Sequence, residues 1–465
     1  METNWKYALK RRFGNRFAMT AVLFLAVMLW GSAVVFASLA SGPACAGFET
    51  EFDGVKTDPC LPSRALQAAA TDLDGPVPAP DYAKAVSAQT AAAEQAITKA
   101  LEADHSLIQL YGLYQNLAGR TVIEDTAEPQ YAVVKLPDGA LTFTGQGDPD
   151  ARAQAAELKR LELALEERDC RLLYLQAPSK VDPDADTLPA GVEDTSNACM
   201  DRLLVQLEAL DIDYMDFRQT LKANGGDWSH WFYATDHHWT QEAAFLCFQE
   251  LCQKLEAEYT QTLHASYGGK TVPITIPQRY TDPGSYSSAT LSGFFLGSQG
   301  KRVGSLYGGT DDFLLHTPNF PTLMRYDSAF SDQRYGDAQE TVLFPDRVAR
   351  RNWFDATPYE YYAGGDSPVA QLTNYYNPQG PRILVIRDSY ACAMTPYLSL
   401  ISSQLTTIDP RTFSGDLLSY VDWLHPNVVL VLYSSGPTRG EESYRLLSQP
   451  QPSKADVLLR QDGET

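Results

Sequence analysis

Residues 382–390, RILVIRDSY, give the clearest indication of the fold of this chain. Residues 383–386 are all apolar, as in a strand buried on both faces, and the residues after Tyr390 have the composition of a helix. Asp388 and Ser389 lie between the two, so a hydroxyl stands where a strand ends and a helix begins. Because working residues collect at the carboxyl ends of parallel strands, this junction is a candidate functional site.

Segments whose apolar residues are spaced as in strands or as in helices recur on both sides of residues 382–390. Strands are predicted at residues 171–176, 212–217, 383–386, 405–408 and 428–433. Helical patterns separate them, one of which begins after Thr240 as its N-cap. Strands that alternate with helices predict an α/β fold with a mostly parallel sheet covered on both faces.

Two further segments depart from this alternation. Residues 131–144 read as a β-hairpin with a turn at Asp138-Gly139. Residues 259–379 are rich in Gly, Tyr, Ser and Pro and have no strong period. Since pure loops of this length are rare in compact domains, we expect this insertion to hold irregular β-structure or a lid.

The N-terminus has the pattern of a membrane anchor. Residues 1–16 form a basic flank, and the uncharged run 17–40 is long enough to cross a bilayer, which takes about 20 helical residues. A cleaved secretory signal ending at Ser38-Leu39-Ala40 is the alternative. Residues 41–118 read as a linker and helical stalk, and 119–465 as the main domain. In either case the domain lies outside the cytoplasm, at the cell membrane if the anchor is kept.

Composition excludes some classes of function. The formal net charge is −21, which disfavours nucleic-acid binding because a phosphate backbone would be repelled. None of the seven cysteines forms a Cys-x-x-Cys pair, so zinc and thioredoxin-type sites are unsupported. Cys45 and Cys60 could form a disulfide in an oxidising compartment.

A second polar stretch, YATDHHWT at residues 233–240, supplies what the hydroxyl of Ser389 needs. Asp236 and His238 are two residues apart in a loop, so the carboxylate can bond one ring nitrogen while the other accepts the serine proton. Taken singly, each residue is more often a structural or surface feature. Together, Asp236, His238 and Ser389 are the residue types that activate a serine as a nucleophile.

The motif Asp236-His237-His238-Trp239 resembles the signature of the DHHW protein family. That family is similar to the alginate O-acetyltransferase proteins AlgX and AlgJ, which have SGNH-hydrolase-like domains. The resemblance spans about residues 131–437, and the segments that carry it further are 178–180, 296–304, 311–313 and 388–390. It implies an SGNH-hydrolase-like α/β/α sandwich, with residues 259–379 as a large insertion.

The resemblance also implies roles for individual residues. Ser389 would be the nucleophile, His238 the base and Asp236 its orienting acid. The family pattern Asp-x-His-Trp selects His238 over His237, and the backbone of Tyr390 would join that of Ser389 in an oxyanion hole. The residues predicted to bind substrate are His237, Trp239, Tyr390, Arg411, Tyr433 and Lys180. Arg387 departs from the superfamily pattern, which has Gly before Asp-Ser, and no Asn of the third superfamily block can be assigned.

The function implied is a membrane-tethered, extracytoplasmic O-acyltransferase, with acetyl as the acyl group, that modifies a polysaccharide. A multi-pass membrane O-acyltransferase would supply the acyl group, and neither metal nor cofactor is required. A carbohydrate esterase is the first alternative, because water can replace the sugar as acceptor. The second is a non-catalytic carbohydrate-binding protein or a two-metal phosphoesterase site, which would need Asp213 and Asp216 beside the two histidines.

Overall fold

The computed structural model describes the backbone of residues 50–52 and 55–57, and then residues 105–447 without 186, 330, 332, 439, 441 and 445. The expected membrane run at 17–40 and the pair Cys45 and Cys60 lie outside these residues. No helix among those described has the length and apolar character of a membrane span. The chain divides into two compact units, Met1–Arg120 and Thr121–Thr465.

The described part of the first unit holds few elements. They are the antiparallel pair β1 (Thr50–Phe52) and β2 (Val55–Thr57), and helix α1 (Ser106–Leu117).

The second unit contains the remaining strands and helices. The strands are β3 (Val122–Ile123), β4 (Val133–Lys135), β5 (Leu141–Phe143), β6 (Arg171–Gln176), β7 (Tyr214–Asp216), β8 (Thr260–Thr262), β9 (Thr271–Pro273), β10 (Tyr286–Phe295), β11 (Asp311–Pro318), β12 (Met324–Ser328), β13 (Arg334–Gly336), β14 (Val369–Asn374), β15 (Arg382–Arg387), β16 (Gln404–Ile408) and β17 (Val428–Tyr433). The helices are α2 (Ala151–Glu166), α3 (Ser196–Ala209), α4 (Phe217–Asn224), α5 (Gln241–Glu258), α6 (Ser298–Val303), α7 (Ser305–Gly308), α8 (Ala391–Ile401), α9 (Leu417–Leu424) and α10 (Ser435–Thr438).

An eight-stranded mixed sheet forms the centre of this unit, in the order β13-β12-β14-β16-β15-β17-β6-β7. The five strands predicted from apolar runs are its parallel part, with β15 between β16 and β17. The expectation of a mostly parallel sheet needs correction. The insertion adds β12, β13 and β14, which pair antiparallel, so the sheet is mixed.

Helices cover both faces of the sheet, because successive strand residues point to opposite sides. Leu384 and Ile386 of β15 face the layer of α2, α3 and α9. Ile383 and Val385 of β15 face α4, α5 and α8 on the other side. This is the α/β/α sandwich expected from the sequence.

Side-chain caps fix the helices that border the sheet. Thr240 caps α5 as predicted, accepting a hydrogen bond from the amide of Ala243 at 3.3 Å. Asp216 ends β7 and caps α4 through the amide of Arg218 at 3.0 Å. The strand predicted at 212–217 is therefore shorter, since its last residue already begins the helix.

The insertion is part of the domain core. It contains the long antiparallel pair β10–β11, the short pair β8–β9 and the three strands added to the main sheet. Its buried aromatic residues, among them Phe295, Phe313 and Tyr359, join the cluster that packs on α5 and α8. The prediction of irregular β-structure is confirmed, as is the hairpin at 131–144, formed by β4 and β5.

Candidate active site

Ser389 lies two residues beyond the end of β15, at the carboxyl edge of the parallel strands. Its side chain is partly exposed in a cleft of about 740 Å³. The cleft is also lined by residues from the DHHW loop, the β4–β5 hairpin and the segment after β17. This is the position at which an open α/β sheet holds its ligands.

Asp236, His238 and Ser389 form a continuous hydrogen-bonded relay, although 151 residues separate the histidine from the serine. Nε2 of His238 lies 2.8 Å from Oγ of Ser389, and Nδ1 lies 2.5 Å from Oδ1 of Asp236. Asp236 and His238 are 4% and 7% exposed. This geometry lets the imidazole receive the serine proton while the carboxylate orients the ring.

The carboxylate of Asp236 is held in its ionised form. Burial alone would raise its pKa, but the electrostatic effect of His237 and His238, the hydrogen bond to His238 and the amide of Ser298 hold the pKa well below its usual range. The amide of Ser298 also donates to Oδ2 at 2.6 Å. An ionised Asp236 can stabilise the imidazolium that forms when His238 takes a proton.

Two buried groups fix the backbone of the DHHW loop. Lys180 donates from Nζ to the carbonyl oxygens of Tyr233, Ala234 and Asp236, at 2.5, 2.9 and 2.9 Å. Asp311 of β11 accepts the amides of Ala234 and Thr235 at 2.5 and 2.8 Å. The family-like segments 178–180 and 311–313 therefore act on the site through this loop.

The segment at the start of α6 packs directly on Asp236. A Cβ on Gly297 would overlap Cβ and Oδ2 of that aspartate, so only glycine fits there without displacing the loop. The amide of Gly297 donates to Oγ1 of Thr235 at 2.9 Å. The hydroxyl of Ser298 lies 2.8 Å from Nδ1 of His237.

Aromatic rings orient His238 and the turn after the nucleophile. The ring of Tyr359, from the insertion, stacks on the imidazole of His238 with centroids 3.9 Å apart and planes 14° apart. Tyr359 and Trp239 both donate to the carbonyl of Tyr390, at 3.2 and 3.0 Å. The hydroxyl of Tyr390 in turn donates to the carbonyl of His237.

Asp388 shapes the turn that presents Ser389. Its carboxylate accepts the amide of Tyr390 at 3.0 Å and both the amide and hydroxyl of Ser434 at 2.8 and 2.6 Å. Burial raises the pKa of Asp388, and the bonds from Ser434 oppose that rise. The amide of Tyr390 is thus already engaged, which corrects its expected oxyanion role. The amide of Ser389 has no acceptor among the described residues and remains the available donor.

Arg387, which stands where the superfamily has glycine, turns away from the cleft. Its guanidinium is buried and donates to Oδ1 of Asp366 at 2.7 Å and to the carbonyl of Gly365 at 3.0 Å. Arg411 contacts the other oxygen of Asp366 at 2.7 Å and Asp409 at 2.6 Å. The charge of Arg411 is therefore largely neutralised where it lines the cleft.

Of the six residues predicted to bind substrate, four line the cleft and two do not. His237, Tyr390, Arg411 and Lys180 line the cleft, and the side chain of His237 is 40% exposed. The three protons of Lys180 are all donated to the loop, so its role is structural.

Two of the substrate-binding predictions are wrong. Trp239 is fully buried beside Tyr390, and Tyr433 is fully buried with its hydroxyl bonded to the carbonyl of Ser443. Neither residue lines the cleft. Tyr433 is the last residue of β17, and its side chain packs on the face of the sheet that α2 and α3 cover. Its position at a strand end did not show which face of the sheet the side chain would take.

The geometry also bears on a metal site. One ligand atom from each of Asp236, His237 and His238 falls within 4.8 Å of the others. Both nitrogens of His238, however, are engaged by Asp236 and Ser389. The two-metal interpretation also needs Asp213 and Asp216, which pair instead with Lys254 at 2.8 Å and with Arg218 at 2.9 Å. The chemistry of these side chains fits the proton relay.

The insertion supplies contacts that sequence reasoning missed. Tyr359 and Asp366 have no distinguishing pattern in the sequence, because each acts through a tertiary contact with the site. Ser298 and Asp311 lie in segments noted for their family likeness, but nothing in their spacing indicated which loop they hold.

A serine–histidine–aspartate relay at the carboxyl edge of an α/β/α sandwich is consistent with acetyltransferase or esterase-type function, and the family comparison identifies an SGNH-hydrolase-like domain. Residues 139–288 match the family described as SGNH hydrolase-like domain, acetyltransferase AlgX. The match includes Asp236 and His238 and ends before Ser389. It confirms the predicted resemblance.

Solved structures share the fold. Bacillus cereus PatB1 with a sulfonyl adduct is 18% identical, with a TM-score of 0.53 over 70% of this chain and 98% of PatB1. A DHHW family protein from Eubacterium siraeum is also 18% identical, with a TM-score of 0.50 over 68% of this chain and 96% of its own. No curated protein matches the chain.

Proposed function

We propose that this protein is an extracytoplasmic O-acyltransferase that moves an acyl group, in the first instance acetyl, to a polysaccharide through a covalent intermediate on Ser389. The observation that carries the proposal is the relay from Asp236 through His238 to Ser389 at a cleft large enough for a sugar. A serine hydroxyl is a weak nucleophile until such a base activates it.

The first half-reaction would acylate the serine. Oγ of Ser389 attacks the carbonyl carbon of the acyl donor, and its proton passes to Nε2 of His238. The ionised Asp236 stabilises the imidazolium, and the amide of Ser389 can donate to the oxyanion. The donor's leaving group then takes the proton from Nε2, and the acyl group stays on Oγ as an ester.

The second half-reaction would transfer the acyl group to the acceptor. A sugar hydroxyl gives its proton to Nε2 of His238 and attacks the ester carbonyl. As the intermediate collapses, Oγ of Ser389 leaves and regains the proton, which restores the enzyme. Water in place of the sugar would give an esterase, so the two functions differ only in the acceptor.

The tether and the donor belong to the same proposal. The uncharged run at 17–40, after a basic flank, would hold the domain outside the cytoplasm close to the bilayer. A multi-pass membrane O-acyltransferase would then deliver the acyl group to Ser389. We prefer acyl transfer to hydrolysis because a soluble esterase does not need to lie close to a membrane-bound acyl donor.

Covalent labelling tests the nucleophile. A PatB1 structure contains a sulfonyl adduct, and a sulfonyl fluoride reacts with an activated serine. Peptide mass spectrometry after treatment with such a reagent should find the adduct on Ser389. Ser389→Ala should lose it, and His238→Ala should slow it by about a hundredfold or more. An adduct on another residue would end the proposal.

A partition experiment then separates transfer from hydrolysis. The protein is given a chromogenic acetyl ester with increasing concentrations of a soluble neutral glycan, and both free acetate and acetylated glycan are measured. Transfer predicts that acetylated glycan rises at the expense of acetate. Acetate alone, at every glycan concentration, would identify an esterase.

A further inference from the structure

A second groove opens at the edge of the main sheet opposite to Ser389. It has a volume of about 310 Å³, and its lining includes Tyr267, Tyr375, Gln379, Arg382 and Gln404. We call it the tyrosine groove. Arg382 begins β15 and Ser389 follows its end, so the groove and the nucleophile are on the order of 20 Å apart at about 3.3 Å per residue.

Exposed tyrosines concentrate around this groove. Tyr267 and Tyr375 in its lining are 42% and 46% exposed, and the adjoining Tyr376 and Tyr335 are 55% and 62% exposed. The rings of Tyr335 and Tyr375 have centroids 5.9 Å apart. A domain that buries most of its large aromatic residues leaves these four exposed side by side, so the cluster is a candidate binding surface.

The loop that carries Tyr375 and Tyr376 is anchored by the side-chain amides of two asparagines, of which Asn374 is buried. Asn374 donates from Nδ2 to the carbonyls of Ser399 and Leu400 at 3.0 and 3.1 Å, and its Oδ1 accepts the amide of Tyr376 at 3.0 Å. Asn377 donates to the carbonyl of Ile401 at 2.8 Å. Binding to a surface that is already ordered costs little conformational entropy.

The opposite wall of the groove comes from the tip between β8 and β9. Tyr267 ends a short 3₁₀ turn that His264 caps, with Nδ1 of that histidine 2.8 Å from the hydroxyl of Ser266. The lining of the groove therefore combines the rings of Tyr267 and Tyr375 with amide side chains such as Gln379 and Gln404. Rings pack on the C–H faces of a sugar, while amides bond its hydroxyls.

The described lining of the groove holds no carboxylate and a single guanidinium, too little charge to recognise a polyion. Arg382 is the only lysine or arginine among the described lining residues. Its Nε is already bonded to the carbonyls of Leu424 and His425, at 3.1 and 2.8 Å. The chain as a whole carries −21, so a polyanion such as a polyuronate would be repelled.

We propose that the tyrosine groove is a second binding site for the acceptor, and that it takes a neutral polysaccharide chain. The inference rests on the proposed function for its choice of ligand, but the groove binds whether or not Ser389 reacts. A chain held at the groove would raise the local concentration of its other segments at the cleft, on the opposite edge of the domain.

Affinity electrophoresis tests the groove directly. The full chain, extracted in detergent, is run in native gels that contain hydroxyethyl cellulose, glucomannan, soluble xylan or polygalacturonate. We expect at least one neutral polymer to retard the protein and polygalacturonate not to. The Tyr375→Ala/Tyr376→Ala variant should bind that polymer about tenfold more weakly or worse.

Two controls make the result decisive. Tyr111→Ala removes a tyrosine of similar exposure, 44%, from helix α1 and should migrate as the wild type does. Ser389→Ala should also be retarded as the wild type is, which separates this test from the test of the acyl-enzyme. Circular dichroism and thermal midpoints check that each variant is folded. Failure of all neutral polymers, retardation by the polyanion, or unchanged binding by the double tyrosine variant would overturn the proposal.

Discussion

The two adjacent histidines differ in what their ring nitrogens contact. His238 is bonded through Nδ1 to Asp236 and through Nε2 to Ser389, so every polar atom of its ring is engaged in the relay. His237 contacts Ser298 through Nδ1, and its side chain is 40% exposed in the cleft. Partial removal of its ring from water and the charge of His238 lower the pKa of His237, which disfavours its charged form.

Replacing each histidine separately tests this assignment. His238→Ala should lower kcat/KM for a chromogenic acetyl ester by about 10³-fold or more, because Ser389 then has no proton acceptor. His237→Ala should cost less than about tenfold, since it removes only a cleft contact. Ester hydrolysis under matched conditions gives both values, and a reversed order would move the base to His237.

Tyr359 should act on catalysis by holding the His238 ring and stabilising its charged form. A parallel aromatic face next to an imidazolium gives about 1 kcal/mol or more, which corresponds to roughly five- to tenfold in rate. Tyr359→Leu should lower kcat by about that factor with little change in KM, and Tyr359→Phe should recover most of it. Tyr361→Leu is a matched control, because that neighbouring buried tyrosine does not contact His238. Equal losses from both leucine variants would indicate a general packing defect instead.

The insertion supplies three contacts that hold the geometry of the site. Asp311 of β11 holds the DHHW loop, Tyr359 packs on His238, and Asp366 binds the arginine beside the nucleophile. Runs of apolar residues in the sequence located β6, β15 and β17, because a strand buried on both faces is uniformly apolar. Such runs could not identify these three contacts from the insertion. In a segment without periodicity, the neighbouring residues do not show which loop a side chain will contact.

The two adjacent aspartates of β11 provide a sharp test of this role. Asp311 accepts three hydrogen bonds from Ala234 and Thr235, whereas Asp312 bonds the amide of Gly293 at the exposed surface. Asp311→Ala should lower kcat by about 10- to 100-fold, because the loop can no longer hold Asp236 and His238 in register. Asp312→Ala should stay within about threefold of wild type. Similar effects of the two substitutions, measured by ester hydrolysis, would show that β11 does not position the loop.

Lys180 gives the same loop a pH-dependent stability. Burial lowers its pKa from 10.5 to about 8. Between these two values the unfolded chain binds more protons than the folded protein, so this group makes the protein more stable as the pH rises from 8 to 10.5. Below pH 8 the lysine is charged in both the folded and the unfolded state, so it does not make the free energy of unfolding depend on pH.

Urea unfolding of the wild type and Lys180→Met measures this effect. The wild-type free energy of unfolding, relative to the variant, should rise by on the order of 1–3 kcal/mol between about pH 7.5 and pH 10. Taking the difference removes the titration of tyrosines and cysteines common to both proteins. A difference that is flat or falls with pH would mean that Lys180 keeps an ordinary pKa in the folded loop.

The sequence predicted the helix layers on both faces of the sheet better than it predicted the antiparallel strands of the sheet itself. The alternation of Leu384 and Ile386 with Ile383 and Val385 requires helices on both faces, and both faces are covered. The antiparallel strands β12 and β13 carry Arg325, Asp327 and Arg334, so they lack the apolar run by which the parallel strands were recognised. Polar strands such as the edge strand β13 and its neighbour β12 resemble loops in a single sequence.

The uncharged run at residues 17–40 should remain in the mature protein and hold it in the membrane. The run exceeds the apolar core of a secretory signal, usually about 7–15 residues, and the basic flank favours a cytoplasmic N-terminus. Intact-mass analysis of membrane-extracted protein should therefore include the first 40 residues, and alkaline carbonate should not release it. Placing Arg at Ala26 and Val34 should release it or block its export, because each central charge costs about 2.5–3.5 kcal/mol in a spanning helix. A mature N-terminus near Ser41, with the protein free in the medium, would establish a cleaved signal, and acyl transfer would then have to proceed without a tether.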